Sequence, residues 1–130
     1  MPVFHLSSEV ELLYVRGIMK AAIEYVGIVP IINLSGRLDT ITAPALDAEL
    51  VSFLVEPRPR ILLDLAGVTY ISSAGLRSIL YLVKHTSANG GRLGVFAAAP
   101  HIMELIEISG FPSLLDLYPD REGALSGSPA

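Results

Sequence analysis

Segments with a strand pattern alternate along this chain with segments whose apolar residues recur at helical spacing. The stretch from Ile61 to Leu65 is a nearly unbroken apolar run, as expected of a strand that is buried on both faces. After it, Leu76, Ile79 and Val83 are spaced i, i+3 and i+7, which places them on one face of a helix. The repeated order of strand and helix predicts an α/β fold, with a mostly parallel sheet of four or five strands and right-handed crossovers between them.

The other elements follow from the same two patterns and from turn signals. Pro30 interrupts the first strand, which predicts an edge position, a bulge or a nearby hairpin. Ser35 to Asp39 and Tyr70 to Gly75 are predicted to form loops. Gly110 is predicted to end the last long helix. Strands are predicted at Tyr25 to Leu34, Leu93 to Ala97 and Leu114 to Tyr118. Helices are predicted from Thr42 as the cap, from near Gly75 and from Pro100. The helix from Pro100 is predicted to face the core with Ile102, Leu105, Ile106 and Ile108.

The length of 130 residues fits a single domain. Residues 1–20 have no clean periodicity and are predicted to be an N-terminal extension, packed on the domain as an extra strand or a short helix. Residues 21–120 are predicted to form the domain. Residues 121–130 are predicted to form a polar, flexible tail that could begin as a short helix.

Composition excludes several classes of function. The net charge of −4 lacks the basic excess of a nucleic-acid binder, so no nucleic acid is expected as a partner. There is no cysteine, and His5, His85 and His101 are scattered, so neither a metal nor another cofactor is expected. The apolar stretches are far shorter than the roughly 20 residues needed to cross a bilayer, so we expect a cytoplasmic protein that is not inserted in a membrane.

The candidate site lies where two neighbouring parallel strands are predicted to end. Loops from Gly36 to Thr40 and from Val68 to Gly75 would adjoin there. From the residues alone, Ser72 or Ser73 fits the N-cap of the helix that follows. A serine hydrolase is a remote alternative, but its Gly-x-Ser-x-Gly elbow is missing its first glycine here, so no catalytic residue is assigned and the chain is not expected to be an enzyme.

Three motifs resemble those of the STAS domain family, which is named for sulphate transporters and anti-sigma factor antagonists. The first runs from Ile61 to Leu76, an aliphatic strand ending in Asp-Leu, followed by a serine loop and Gly-Leu. The second is Gly36-Arg37-Leu38-Asp39, and the third runs from Pro100 to Phe111. The resemblance covers about Glu24 to Tyr118 and implies a single STAS-type domain.

The resemblance is to the anti-sigma factor antagonist branch, and it implies a switch. In that branch a loop serine is phosphorylated by a partner that is both the anti-sigma factor and a histidine-kinase-like ATPase, and a serine phosphatase is a further candidate partner. Aligned on Gly75, the acceptor is Ser73, with Ser72 as the alternate because it replaces the usual aspartate. Ala74 replaces the second hydroxyl residue. The implied partner-binding loop contains Asp39, Thr40, Ser72, Ala74, Gly75, Leu76 and Arg77.

The resemblance leaves alternatives open. The domain could instead serve a stress-signalling scaffold or a membrane transporter complex. The Asp39 carboxylate could bond a loop N–H or the serine hydroxyl, it could repel a phosphate, or it could only close its own turn. Gly75 is interpreted as a packing or turn residue. Arg37, Arg77 and Lys84 are interpreted as solvated surface residues in preference to a phosphate clamp.

Overall fold

The computed structural model describes residues 10–15, 19–110 and 113–127, and describes side chains for residues 19–50, 53–110 and 113–127. The strands are β1 (Val10–Val15), β2 (Met19–Val26), β3 (Val29–Leu38), β4 (Arg60–Ile71), β5 (Arg92–Phe96) and β6 (Asp116–Tyr118). The helices are α1 (Thr42–Leu54), α2 (Ser73–Ala88), α3 (Pro100–Ile108) and α4 (Arg121–Ser126).

The strands form one sheet in chain order, from β1 to β6. The pairs β1–β2 and β2–β3 are antiparallel, while β3–β4, β4–β5 and β5–β6 are parallel and are joined through α1, α2 and α3. The predicted α/β fold with a mostly parallel sheet is therefore confirmed. The described sheet has six strands because part of the predicted extension forms β1, the extra strand considered for that segment, and because the first predicted strand of the domain is a pair, β2 and β3. Residues 1–9 and 16–18 lie outside the described residues.

The segment predicted as one strand from Tyr25 to Leu34 is a hairpin. β2 and β3 are joined by Gly27 and Ile28, and Val26 pairs with Val29. Gly27 has a φ of 64°, the left-handed conformation that two-residue hairpin turns favour at glycine. Pro30 is the second residue of β3, so the nearby hairpin, one of the three alternatives predicted for this proline, explains its position.

Apolar residues of the central strands alternate between two cores. Ile61 and Leu63 of β4 face the large core beneath α1, α2 and α3, whereas Leu62 faces a smaller cluster with Ala124 of α4. This alternation is the period of two that a strand imposes on its side chains. Leu62 and Leu63 are both fully buried, as the unbroken apolar run predicted.

The strands that lead to the candidate site are longer than predicted. β3 continues to Leu38 and β4 to Ile71, through segments predicted as loops. The two ends pair with each other in parallel, Arg37 with Tyr70 and Leu38 with Ile71. Backbone pairing between distant segments thus overrides the local turn signal of their glycine and serine residues.

The third helix starts at Pro100, as predicted, and ends before Gly110, whose φ is 90°. Ile102 and Ile106 are fully buried. The prediction that Ile108 faces inward is wrong, because this last helical residue is 75% exposed beyond the edge of the core. Phe111, the end of the third motif, lies outside the described residues.

The segment predicted as a flexible tail begins with helix α4, and residues 128–130 lie outside the described range. Arg121 of α4 donates two hydrogen bonds to the Glu24 carboxylate of β2, at 3.0 and 2.8 Å. These bonds from Arg121 hold the pKa of Glu24 below its usual value. The Arg121–Glu24 pair and the buried Ala124 attach this helix to the sheet, so the first six residues of the predicted tail are part of the fold.

Candidate functional site

The adjoining ends of β3 and β4 form the base of the candidate site. Leu38 and Ile71 are register partners, and the N–H of Ser72 donates to the carbonyl oxygen of Leu38 at 3.0 Å. This bond joins the last residue of β3 to the residue just past β4. The prediction that the two loops adjoin is therefore confirmed, although each loop is shorter than expected.

The two serines of the site occupy different positions. Ser72 is the N-cap of α2, with extended backbone, and its Oγ accepts a hydrogen bond from the N–H of Gly75 at 3.3 Å. Ser73 is the first residue of α2 and is exposed. Among the described residues, its hydroxyl makes no hydrogen bond. The helix thus begins two residues before the predicted start at Gly75, and Ser73 lies within it.

Gly75 permits close packing of α2 on the end of β3. A Cβ atom at this position would lie 2.5 Å from the carbonyl oxygen of Leu38 and 2.9 Å from its Cγ. It would also lie 3.1 Å from Cγ2 of Ile71. The interpretation of Gly75 as a packing residue is confirmed, because no other residue fits without displacing this backbone.

Asp39 caps α1, and Thr42 completes the cap. The Asp39 carboxylate accepts from the N–H groups of Ile41 at 3.0 Å and Thr42 at 3.1 Å. In return, the N–H of Asp39 donates to Oγ1 of Thr42 at 2.9 Å. The prediction that Thr42 is the cap is wrong. The reciprocal pattern is a capping box in which Asp39 is the cap. Its carboxylate lies before the helix and can reach the first N–H groups, which a side chain inside the helix cannot do.

The same contacts decide between the alternatives for Asp39. The carboxylate bonds N–H groups of its own turn, and no hydrogen bond joins it to Ser73 in the described part of the chain. Its pKa is held below the usual value, first by the N–H of Thr42 and then by that of Ile41 and by the side chains of Thr42 and Arg37. Asp39 is therefore charged at neutral pH and fixed in orientation.

Arg37 and Tyr70 form an exposed pair beside this turn. The Arg37 guanidinium lies over the Tyr70 ring, 4.2 Å from its centroid, and its Nε is 3.4 Å from the Asp39 carboxylate. The Tyr70 side chain is one of the exposed large apolar residues, at 41%. Tyrosine and arginine are both enriched among the residues that contribute most to binding in protein interfaces.

The other residues of the predicted partner-binding loop fall into two groups. Thr40 and Arg77 are exposed, while Ala74 and Leu76 are half-buried and pack against the large core. Among the described residues, no group of three or more histidine and acidic side chains could hold a metal ion. Within the same residues, no helix is both long and apolar enough to span a bilayer.

Comparison with known proteins identifies the family. A family model described as the STAS domain matches residues 20–124. The chain belongs to the STAS domain family. The resemblance that rested on three sequence motifs is therefore confirmed over the whole region that they cover.

Relatives of this STAS domain are regulators. BtrV of Bordetella bronchiseptica, whose name assigns it as an anti-sigma factor antagonist, is 36% identical over 106 residues, which are 82% of this chain and 91% of BtrV. An anti-sigma-B factor antagonist of Staphylococcus epidermidis is 29% identical over 91 residues, which are 70% of this chain and 84% of that protein. This agrees with the prediction that the chain is not an enzyme.

A solved structure shares the architecture of this STAS domain. The crystal structure of an anti-sigma factor antagonist from Mycobacterium paratuberculosis aligns with a TM-score of 0.75 and 27% identity. The alignment covers 83% of this chain and 92% of that one. This STAS domain is thus a homologue of anti-sigma factor antagonists in both sequence and fold.

Sequence reasoning missed two features of the site of this STAS domain. The Asp39–Thr42 box has a recognisable spacing, since a capping residue followed three positions later by a side-chain acceptor is a helix-start pattern. The Arg37–Tyr70 pair had no local signal, because the two residues are brought together only by the parallel register of β3 and β4.

Thr42→Val is expected to destabilise the domain by about 1–3 kcal/mol. Thr42 is fully buried, and its hydroxyl also donates to the carbonyl oxygen of Arg37 at 2.7 Å. The isosteric valine would leave that carbonyl and the N–H of Asp39 without a partner. Urea unfolding followed by circular dichroism measures the effect.

Thr40→Val is the matched control, because Thr40 lies two residues away and is exposed. It is expected to change the unfolding free energy by less than about 0.5 kcal/mol. Equal effects of the two variants would show that the capping box does not stabilise α1.

Proposed function

We propose that this protein is an anti-sigma factor antagonist whose partner binding is controlled by phosphorylation of Ser73. The partner is an anti-sigma factor that is also a serine kinase of the histidine-kinase-like ATPase type, and a serine phosphatase restores the free hydroxyl. The unphosphorylated domain binds the anti-sigma factor and releases the sigma factor. The protein acts in the cytoplasm.

The observation that carries the proposal is the division of roles between the two serines. Ser72 is half-buried and its hydroxyl caps the helix, while Ser73 is exposed and its hydroxyl makes no hydrogen bond among the described residues. A kinase must reach the hydroxyl and turn its oxygen toward the γ-phosphate of ATP. The Oγ–P bond then forms, the bond to ADP breaks, and the serine proton passes to a base on the kinase. Ser73 meets this requirement without loss of the cap.

The position of Ser73 also favours a phosphate. The first N–H groups of α2 have no carbonyl partner within the helix, and its first turn contains no acidic residue. A phosphate carries about −1.5 to −2 charges near neutral pH and is stabilised at the positive end of a helix. The modified domain is therefore expected to stay folded.

The switch acts on the surface and not on the fold. Thr40, Tyr70, Ser73 and Arg77 are exposed around the site and offer a contact surface for a partner. Burial of a phosphate dianion beneath a partner would remove its hydration, which is costly unless a counter-ion compensates. Phosphorylation therefore blocks binding by desolvation, with little conformational change.

Incubation of the purified protein with its cognate kinase and ATP is expected to add one phosphate, which mass spectrometry maps to Ser73. Ser73→Ala is expected to abolish the modification, whereas Ser72→Ala, which removes only the cap, is expected to keep it. An unmodified protein in the presence of a kinase that is active on another substrate would refute the switch. A cognate partner that is a scaffold particle or a transporter subunit would refute the sigma-factor assignment.

A further inference from the structure

The start of α2 places an exposed cation one helical turn after the exposed serine. Since the helix begins at Ser73 and not at Gly75, Ser73 and Arg77 are an i, i+4 pair within one helix. Side chains at this spacing are neighbours on the helix surface, with Cβ atoms about 6 Å apart. An anion that precedes a cation by four residues is also the more favourable order.

Arg77 has no competing acidic partner in the described residues. It is exposed, and none of the ion pairs there involves it. Its helical neighbours at three and four positions are uncharged: Ser73, Ala74, Leu80 and Tyr81. Its guanidinium is thus available to a new anion on the same face.

The other charged and titratable groups around the site are engaged elsewhere. Arg37 pairs with Asp39 at 3.4 Å and lies over the ring of Tyr70. His101, at the start of α3, has Nε2 3.4 Å from the carbonyl oxygen of Thr69. Arg77 is therefore the cation that the helix geometry holds next to Ser73.

We propose that Arg77 is the intramolecular counter-ion of a phosphate on Ser73. The inference rests on the proposed phosphorylation of that serine. The guanidinium can donate two parallel hydrogen bonds to phosphate oxygens, which a lysine cannot do in the same geometry. Phosphorylation would then have two effects, the addition of a dianion and the withdrawal of Arg77 from the partner surface.

The test uses protein in which phosphoserine is incorporated at position 73 during translation, so that it needs no kinase. The second pKa of the phosphate is read by phosphorus NMR titration at 0.15 M salt. A neighbouring cation favours the dianion and lowers this pKa. Arg77→Gln is expected to raise the pKa by about 0.2–0.4 pH unit, and Arg77→Lys is expected to restore part of the shift.

Lys84→Gln is the matched control. Lys84 is an exposed cation on the same helix, eleven residues beyond Ser73. At a rise of 1.5 Å per residue, Lys84 lies about 16 Å along the helix from Ser73 and near the same face. This distance is about twice the electrostatic screening length of about 8 Å. Its removal deletes the same charge and is expected to leave the phosphate pKa unchanged.

Two results would overturn the inference. The first is an identical phosphate pKa in all variants. The second is an equal pKa shift in Arg77→Gln and Lys84→Gln, which would show that the shift comes from the change in net charge alone. Circular dichroism melts confirm that each variant is folded. A kinase that fails to modify Ser73 would instead overturn the proposed function, and the titration would be unaffected. The two failures are therefore distinguishable.

Discussion

Ser73→Asp is expected to weaken binding to the cognate anti-sigma factor by more than about tenfold, because the interface must then desolvate a carboxylate. The melting temperature is expected to be unchanged or raised by up to about 4 °C, since an acidic residue in the first helical turn interacts favourably with the helix dipole. Ser73 is exposed at the first position of α2, so the substitution displaces no packed atom. Isothermal titration calorimetry measures the affinity, and circular dichroism measures the melt.

Ser73→Asn is the control, because asparagine has nearly the shape of aspartate without its charge. It is expected to bind within about threefold of the unmodified protein. Equal loss of affinity in both variants would indicate a steric and not an electrostatic effect. A large fall in the melting temperature of Ser73→Asp would instead assign a structural role to Ser73.

Gly75→Ala is expected to destabilise the domain by about 1–3 kcal/mol, even though alanine is favoured over glycine in a helix by about 1 kcal/mol. The new Cβ would lie 2.5 Å from the carbonyl oxygen of Leu38. That carbonyl is fixed by the N–H of Ser72 at 3.0 Å, so it cannot move without breaking the link between the two strand ends. Urea unfolding followed by circular dichroism reports the change, since the chain has no tryptophan.

Gly123→Ala supplies a closely matched control. Gly123 occupies the same position in α4, three residues after the cap Asp120, and its N–H likewise donates to the capping side chain. A Cβ there would approach only the Asp120 Oδ1 at 3.2 Å and Cδ of Pro119 at 3.9 Å. We expect a change of less than about 1 kcal/mol. Comparable losses from both variants would show that the contact with Leu38 is not what restricts position 75.

The candidate site could be located from the sequence, but the roles of its residues could not. Strand and helix patterns placed Asp39 and Ser73 in neighbouring segments, which the register of Leu38 and Ile71 confirms. The sequence left Ser72 and Ser73 as equivalent caps. In the structure they differ, because the Oγ of Ser72 accepts from the N–H of Gly75, while Ser73 is already the first residue of the helix.

The position of Ser73 illustrates the division between local and tertiary information. Periodicity located α2 because its buried residues repeat at helical spacing, but it placed the start near Gly75, just before the apolar face begins at Leu76. The structure starts the helix at Ser73, directly after the cap Ser72, whose own N–H donates to the carbonyl oxygen of Leu38. This difference of two residues makes Ser73 and Arg77 a helical pair.

The sequence by itself determined the α/β class, the order of its principal elements and the family, because these follow from periodicity and from motifs of contiguous residues. Only the tertiary structure decided the hairpin of β2 and β3, the continuation of β3 and β4 to Leu38 and Ile71, and the pairing of Arg37 with Tyr70. Each of these depends on hydrogen bonds or contacts between strands. For β3 and β4 the partners lie far apart in the chain, so neither segment alone encodes their register.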